Sequence, residues 1–79
     1  MTTRVQTVQL NGAPVAVVVD GEARITAALG EADELTVKGM CLFAMEVQAG
    51  AVDPPYTDKR ALAYAQLADA RRARSTGAK

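Results

Sequence analysis

A 79-residue chain makes one small domain, and a chain of that size buries only about 60% of the surface its unfolded form exposes. A single cysteine, Cys41, excludes an internal disulfide, and the absence of histidine excludes a histidine-based metal site. With zero net charge, 49% apolar residues and 23% charged residues, the composition is that of a globular rather than a disordered chain.

Domains this small are commonly stapled by disulfides, a metal or a second subunit. With the first two set aside, a homo-oligomer or docking on a larger protein partner is the remaining expectation. The aromatic residues are only Phe43, Tyr56 and Tyr64, so the core falls to Val, Leu, Ala and Met. No segment approaches the ~18 apolar residues of a membrane span. The N-terminal Met-Thr-Thr-Arg-Val-Gln lacks the apolar run of a signal peptide. One thiol in an apolar run fits a reducing compartment, so a cytoplasmic location is expected.

In chain order, Val5–Leu10, Asn11-Gly12 and Ala13–Val19 form a β-hairpin pattern over 5–19. Asn-Gly suits a type I′ turn, whose two central residues need positive φ. A two-residue turn pairs 10 with 13, 8 with 15, 6 with 17 and 4 with 19. One face then collects Val8, Leu10, Ala13, Val15, Val17 and Val19. Asp20-Gly21 could make a second turn, but in that register Glu22, Arg24 and Thr26 fall on the apolar face. A short helix over 21–30 avoids the conflict by placing Ile25, Ala28, Leu29 and Ala32 on one stripe. Asp20 would cap its start and Gly30 would end it.

The 33–49 segment fits two patterns. As a helix it gathers Val37, Met40, Cys41, Ala44 and Val47 on a core stripe, with Asp33 and Glu34 at the positive N-terminus and Gly50 closing it. As a hairpin, Leu35 and Val37 alternate, Gly39 turns, and Cys41 to Val47 alternate back. The Met, Cys and Ala content is poor for strands, and helix is the expectation. Asp53-Pro54-Pro55-Tyr56 makes 51–56 a proline linker. Thr57 caps a C-terminal helix over 58–73 with Ala61, Tyr64, Ala65 and Ala68 on its apolar face, and 75–79 is expected to fray. The predicted fold is a single α+β domain: an N-terminal two-stranded hairpin followed by three helices, in the order β-β-α-α-α.

Few residues offer chemistry. Cys41 is the one strong nucleophile, yet no histidine can act as its base, and Met40, Leu42 and Phe43 surround it as they would a core residue. Glu31, Asp33 and Glu34 lack the oxygen spacing of a cation loop and suit a helix N-terminus. The glycines have no phosphate-cradle spacing, and Pro54-Pro55 reads as a connector more than a docking ligand. Charge is uneven. Residues 1–58 hold three basic and eight acidic side chains, whereas 59–79 hold six basic ones against Asp69 alone. Arg71, Arg72 and Arg74 close the last helix, where cations complement the helix dipole or contact an acidic partner. With Tyr64 they form the candidate partner-binding set, since aromatics and arginines are enriched at binding hot spots.

Thr7–Val19, Glu22–Leu29, Asp33–Lys38 and Cys41–Val47 can be laid in order onto a strand, Gly turn, strand, short helix and two further strands. Residues 7–47 in this sense loosely resemble the swapped-hairpin antitoxins and transition-state regulators. The resemblance implies a dimer that touches DNA through its first hairpin. Here the hairpin has no Lys or Arg between Arg4 and Arg24, which departs from the basic contacts of that family.

The leading functional expectation is a non-enzymatic protein-binding module without cofactor or metal. It would be a small regulator or inhibitor, phage-type by analogy of size, acting on a larger protein with an acidic surface. The alternative is a dimeric DNA-binding regulator or antitoxin. A thiol-reactive dye is expected to label Cys41 slowly in the native protein and fast once it is denatured. Equal rates would put the 33–49 segment outside the core.

Overall fold

The computed structural model describes the backbone of residues 3–77 and the side chains of residues 3–71. Three strands and two helices follow one another: β1 (Val5–Leu10), β2 (Ala13–Val19), β3 (Glu22–Ile25), α1 (Glu31–Gln48) and α2 (Asp58–Gly77). The strands form one antiparallel sheet in the order β1-β2-β3. The α+β class stands, but the segment expected as a helix over 21–30 is a third strand and a loop.

The first turn forms as its sequence dictates. Asn11 and Gly12 both have positive φ, 56° and 82°, and Leu10 pairs with Ala13. The expected register holds only to Gln9 opposite Pro14. Beyond it Val8 pairs with Ala16, so Val15 is an extra residue on β2, a β-bulge. Pro14 sits beside it, past the end of the β3 pairing, where a missing N–H deprives no neighbour.

One extra residue exchanges the faces of the rest of the strand. Val15 and Ala16 are buried consecutively, Val18 follows, and Val17 and Val19 turn to the outer face. The expected inward row of Val8, Leu10, Ala13, Val15, Val17 and Val19 is thus corrected to Val8, Val15, Ala16 and Val18, with Leu10 packed at its margin.

That exchange also decides the fate of residues 20–25. Asp20 and Gly21 take positive φ, 50° and 83°, and Val19 pairs with Glu22 across a second two-residue turn. Glu22 and Arg24 then lie beside Val19 and Val17 on the outer face, while Ala23 and Ile25 lie beside Val18 and Ala16 on the helix side. The objection to a strand disappears once β2 carries the bulge. Asp20 is a turn residue instead of a helix cap, and Gly30, expected to end a helix, is extended (φ −67°, ψ 164°) and begins α1.

The second hairpin is tied down at its tip. The Asp20 carboxylate accepts from the Arg4 N–H at 2.8 Å, and Gln48 at the end of α1 accepts from the Gly21 N–H at 2.7 Å. Gln48 Nε2 in turn donates to the Val18 carbonyl at 3.0 Å, and Arg4 Nη1 donates to the Gln48 carbonyl.

The segment expected as a helix over 33–49 is a single helix, α1, from Glu31 to Gln48, and its buried residues are Val37, Gly39, Met40, Cys41, Phe43 and Ala44. Met40, Val8, Val18 and Val37 are the largest fully buried side chains, each contributing about 1.5–3 kcal/mol by leaving water. Thr57 caps α2 as expected, its hydroxyl accepting from the Arg60 N–H at 3.1 Å. The helix runs to Gly77, so residues 75–77, expected to fray, belong to it, and residues 78–79 lie outside the described residues.

α2 packs on α1 through Ala61 and Ala65, both fully buried. The approach is tight at Gly39, where an added Cβ would stand 2.7 Å from Ala65 Cβ and 2.9 Å from its Cα. Glycine in a helix interior normally costs about 1 kcal/mol relative to alanine, so this one is retained for its missing volume. Gly39→Ala is therefore expected to lower unfolding stability by about 1–3 kcal/mol despite the propensity gain, as overpacking does. Urea melts would read this, and Ala65→Gly in the same chain should recover part of the loss.

Candidate functional site

The sequence-predicted partner residues all lie on α2, and the structure places them unequally. Tyr64 is half-buried, with its ring 5.6 Å from the Phe43 ring at 49° and its hydroxyl 3.4 Å from Glu46 Oε1. One side of the ring is thus committed to the core margin. Its other neighbours, Leu67, Ala68 and Arg71, line a shallow concavity of about 270 Å³ with it. Arg71 is exposed at one end. Arg72 and Arg74 belong to the same helix, but their side chains lie outside the described residues.

Leu67 is the residue that the sequence reading left out of the site. It is 60% exposed, the highest among the large apolar side chains that stay exposed in the described residues. Its signal was legible: it falls between the turns that carry Ala61, Tyr64, Ala65 and Ala68, and so stands at the border of the apolar stripe. Its role depends on where α1 ends its cover of α2, which only the packing decides.

The other candidates separate into built structure and surface. Arg60 organises the connector between the helices: Nη1 donates to the carbonyls of Asp53 (2.9 Å) and Pro55 (2.7 Å), and its guanidinium lies 5.2 Å from the Phe43 ring centre. Phe43 also meets Tyr56 at 5.9 Å, so the proline segment is packed as a connector. Glu31, Asp33 and Glu34 occupy the first turn of α1, where the positive end of the helix favours them. Glu34 pairs with Lys38 at 3.1 Å on the surface, an i,i+4 contact worth about 0.3–0.5 kcal/mol. Among the described residues no group of three or more side chains is placed to hold a metal ion.

Cys41 is 3% exposed, and burial pushes its thiol pKa up, away from the thiolate that nucleophilic chemistry requires. The Tyr56 hydroxyl is buried without a hydrogen-bond partner. Burial first, and then the Asp58 carboxylate, hold its pKa well above the usual value near 10. Asp58 lies close enough to act through its charge, but not in hydrogen-bonding geometry.

Comparison with known proteins finds no matching family model, no matching curated protein and no matching solved structure. Among the described residues no helix is long and apolar enough to cross a membrane.

Both Cys41 and Tyr56 have raised folded-state pKa values, so their contribution is fully present below their unfolded values and is lost as pH rises towards the folded ones. Stability is expected to be flat near neutrality and to fall as pH climbs past the ordinary values of 9.0 and 10.0, where the unfolded chain ionises first. Tyr56→Phe should flatten the upper part of that fall. It should also leave neutral-pH stability unchanged or raised by up to about 1 kcal/mol, because an unpaired buried hydroxyl is removed. Thermal melts across an alkaline series measure both.

Proposed function

We propose that this chain is a non-enzymatic protein-binding module, a small regulator or inhibitor that docks on a larger protein through the outward side of α2. The observation that carries this reading is Leu67, 60% exposed beside the half-buried Tyr64 and Ala68, in a concavity that ends at the exposed Arg71. Tyr64 and Arg71 are residue types enriched at binding hot spots, and the exposed Leu67 adds apolar surface between them. A complementary partner would insert one modest apolar side chain between Tyr64 and Leu67 and set a carboxylate against Arg71. Arg72 and Arg74, next in sequence, extend the positive charge that would steer an acidic surface toward the helix end.

Supporting the non-enzymatic part of the reading is the character of the buried groups. The one thiol is shielded with a raised pKa, and the other perturbed group, the Tyr56 hydroxyl, is buried with no hydrogen-bond partner to act as its base. Catalytic sites instead collect perturbed titratable groups in a cleft.

Affinity capture with the tagged chain tests the proposal through two variants. Leu67→Glu should fold normally, since the side chain is exposed, and lose at least about tenfold in capture of the wild-type partner. The triple change of Arg71, Arg72 and Arg74 to Glu should slow association most at low salt. Capture that is unchanged in both variants, at low and high salt alike, would overturn this surface as the interface.

A further inference from the structure

β3 is the outermost strand on its side of the sheet, and its turn fixes which way its backbone groups point. Val19 and Glu22 close a two-residue turn as a hydrogen-bonded pair, and Val17 and Arg24 repeat that geometry two residues on. The Thr26 N–H, donating to the Val15 carbonyl at 2.9 Å, keeps the same alternation. The N–H and C=O groups of Ala23 and Ile25 therefore point away from β2, towards the open edge. Among the described residues, α2 touches β1 and α1 but not β3. The opposite edge is partly occupied, since the Gln9 N–H of β1 meets the Asp58 carboxylate at the start of α2 at 3.4 Å.

An open edge is a template for a further strand. On the helix side of β3 runs an apolar groove of about 550 Å³ lined by Ala23, Ile25, Cys41, Leu42, Met45 and Lys38. Leu42 projects beside it, 49% exposed. We infer that a second copy of this chain occupies this edge. The two β3 strands pair antiparallel about a two-fold axis at Ala23 and make one continuous six-stranded sheet, with Leu42 of each copy closing the groove of the other.

Charge selects this occupant and this register. A two-fold axis perpendicular to the sheet sets outer-face residues only against outer-face residues. Centring the pair on Glu22 or on Arg24 puts like charges face to face. Centring it on Ile25 carries Glu22 beyond the pairing. Centring it on Ala23 sets Glu22 against Arg24 of the second copy, twice, and lets the two Ala23 residues exchange both of their outward hydrogen bonds. The strand is thus complementary to itself, and zero net charge leaves no bulk repulsion between copies. This edge is separate from the α2 surface and does not depend on its reading.

Sedimentation equilibrium of the full chain over a broad concentration range tests the inference, with circular dichroism confirming the fold of each variant. The wild type should dimerise. Ala23→Pro removes an N–H that points only outward, so it should leave the fold intact and abolish the dimer. Glu22→Arg and Arg24→Glu should each weaken self-association about tenfold by opposing like charges, and the double exchange E22R/R24E should restore it. A wild type that stays monomeric at every concentration would overturn the inference. So would a dimer indifferent to Ala23→Pro, or a double exchange as weak as the single changes.

Discussion

One extra residue in the central strand governs the arrangement of everything after it. With Val15 bulged between the Gln9–Pro14 and Val8–Ala16 pairs, β2 presents Ala16 and Val18 to the helices beside Val8 and turns Val17 and Val19 outward. Strand periodicity is two, so a single insertion exchanges both faces from that point on. Without it, Glu22 and Arg24 would be driven into the apolar layer and the chain could not add β3 in this register. With it, Ala23 and Ile25 complete the inner face, and the sheet gains the third strand that an isolated hairpin needs for stability.

The helical layer answers to a different constraint, the small size of its side chains. With few aromatics available, dispersion energy has to come from close approach, and Gly39 against Ala65 brings the two helix backbones together. Ala61 and Ala65 are fully buried for the same reason. The aromatic residues gather at one end of this seam, where Phe43 contacts Tyr56 and Tyr64 and Arg60 closes over it. The connector between the helices is fixed there by packing and by two carbonyl hydrogen bonds to Arg60.

A two-layer fold of this size leaves surfaces that its own elements do not reach. Among the described residues α2 covers α1 and touches β1, so the β3 edge with its Leu42 groove stays open on one side, and Leu67 stays open on the other helix. The two surfaces differ in chemistry. The strand edge offers unpaired backbone groups and a self-complementary Glu22/Arg24 pair, which suits an identical copy. The α2 surface offers an aromatic, a leucine and positive charge, the features on which the proposed docking to an unlike, acidic partner rests. A chain could use both at once, because no residue belongs to both.

By itself the sequence determined those features whose causes are local. Asn11-Gly12 sets the first turn because both residues tolerate positive φ, Thr57 caps α2 through its hydroxyl, and the 3.6-residue stripe from Val37 to Ala44 buries one face of α1. Cys41 in its apolar run is legible as a core residue on the same grounds, and Tyr64 as a residue of the apolar face of α2, where the structure leaves it half-buried. What only the tertiary structure decided are the features that depend on a partner strand or helix. The bulge at Val15 arises between two strands, and nothing in Ala13–Val19 read alone marks it except Pro14. The strand at 22–25 follows from that bulge, whereas an unbroken register would set Glu22 and Arg24 on the apolar face and favour a helix there. Leu67 and Leu42 became surface features through how α1, α2 and the sheet pack, with Gly39 set against Ala65, a contact between residues far apart in sequence that no local pattern encodes.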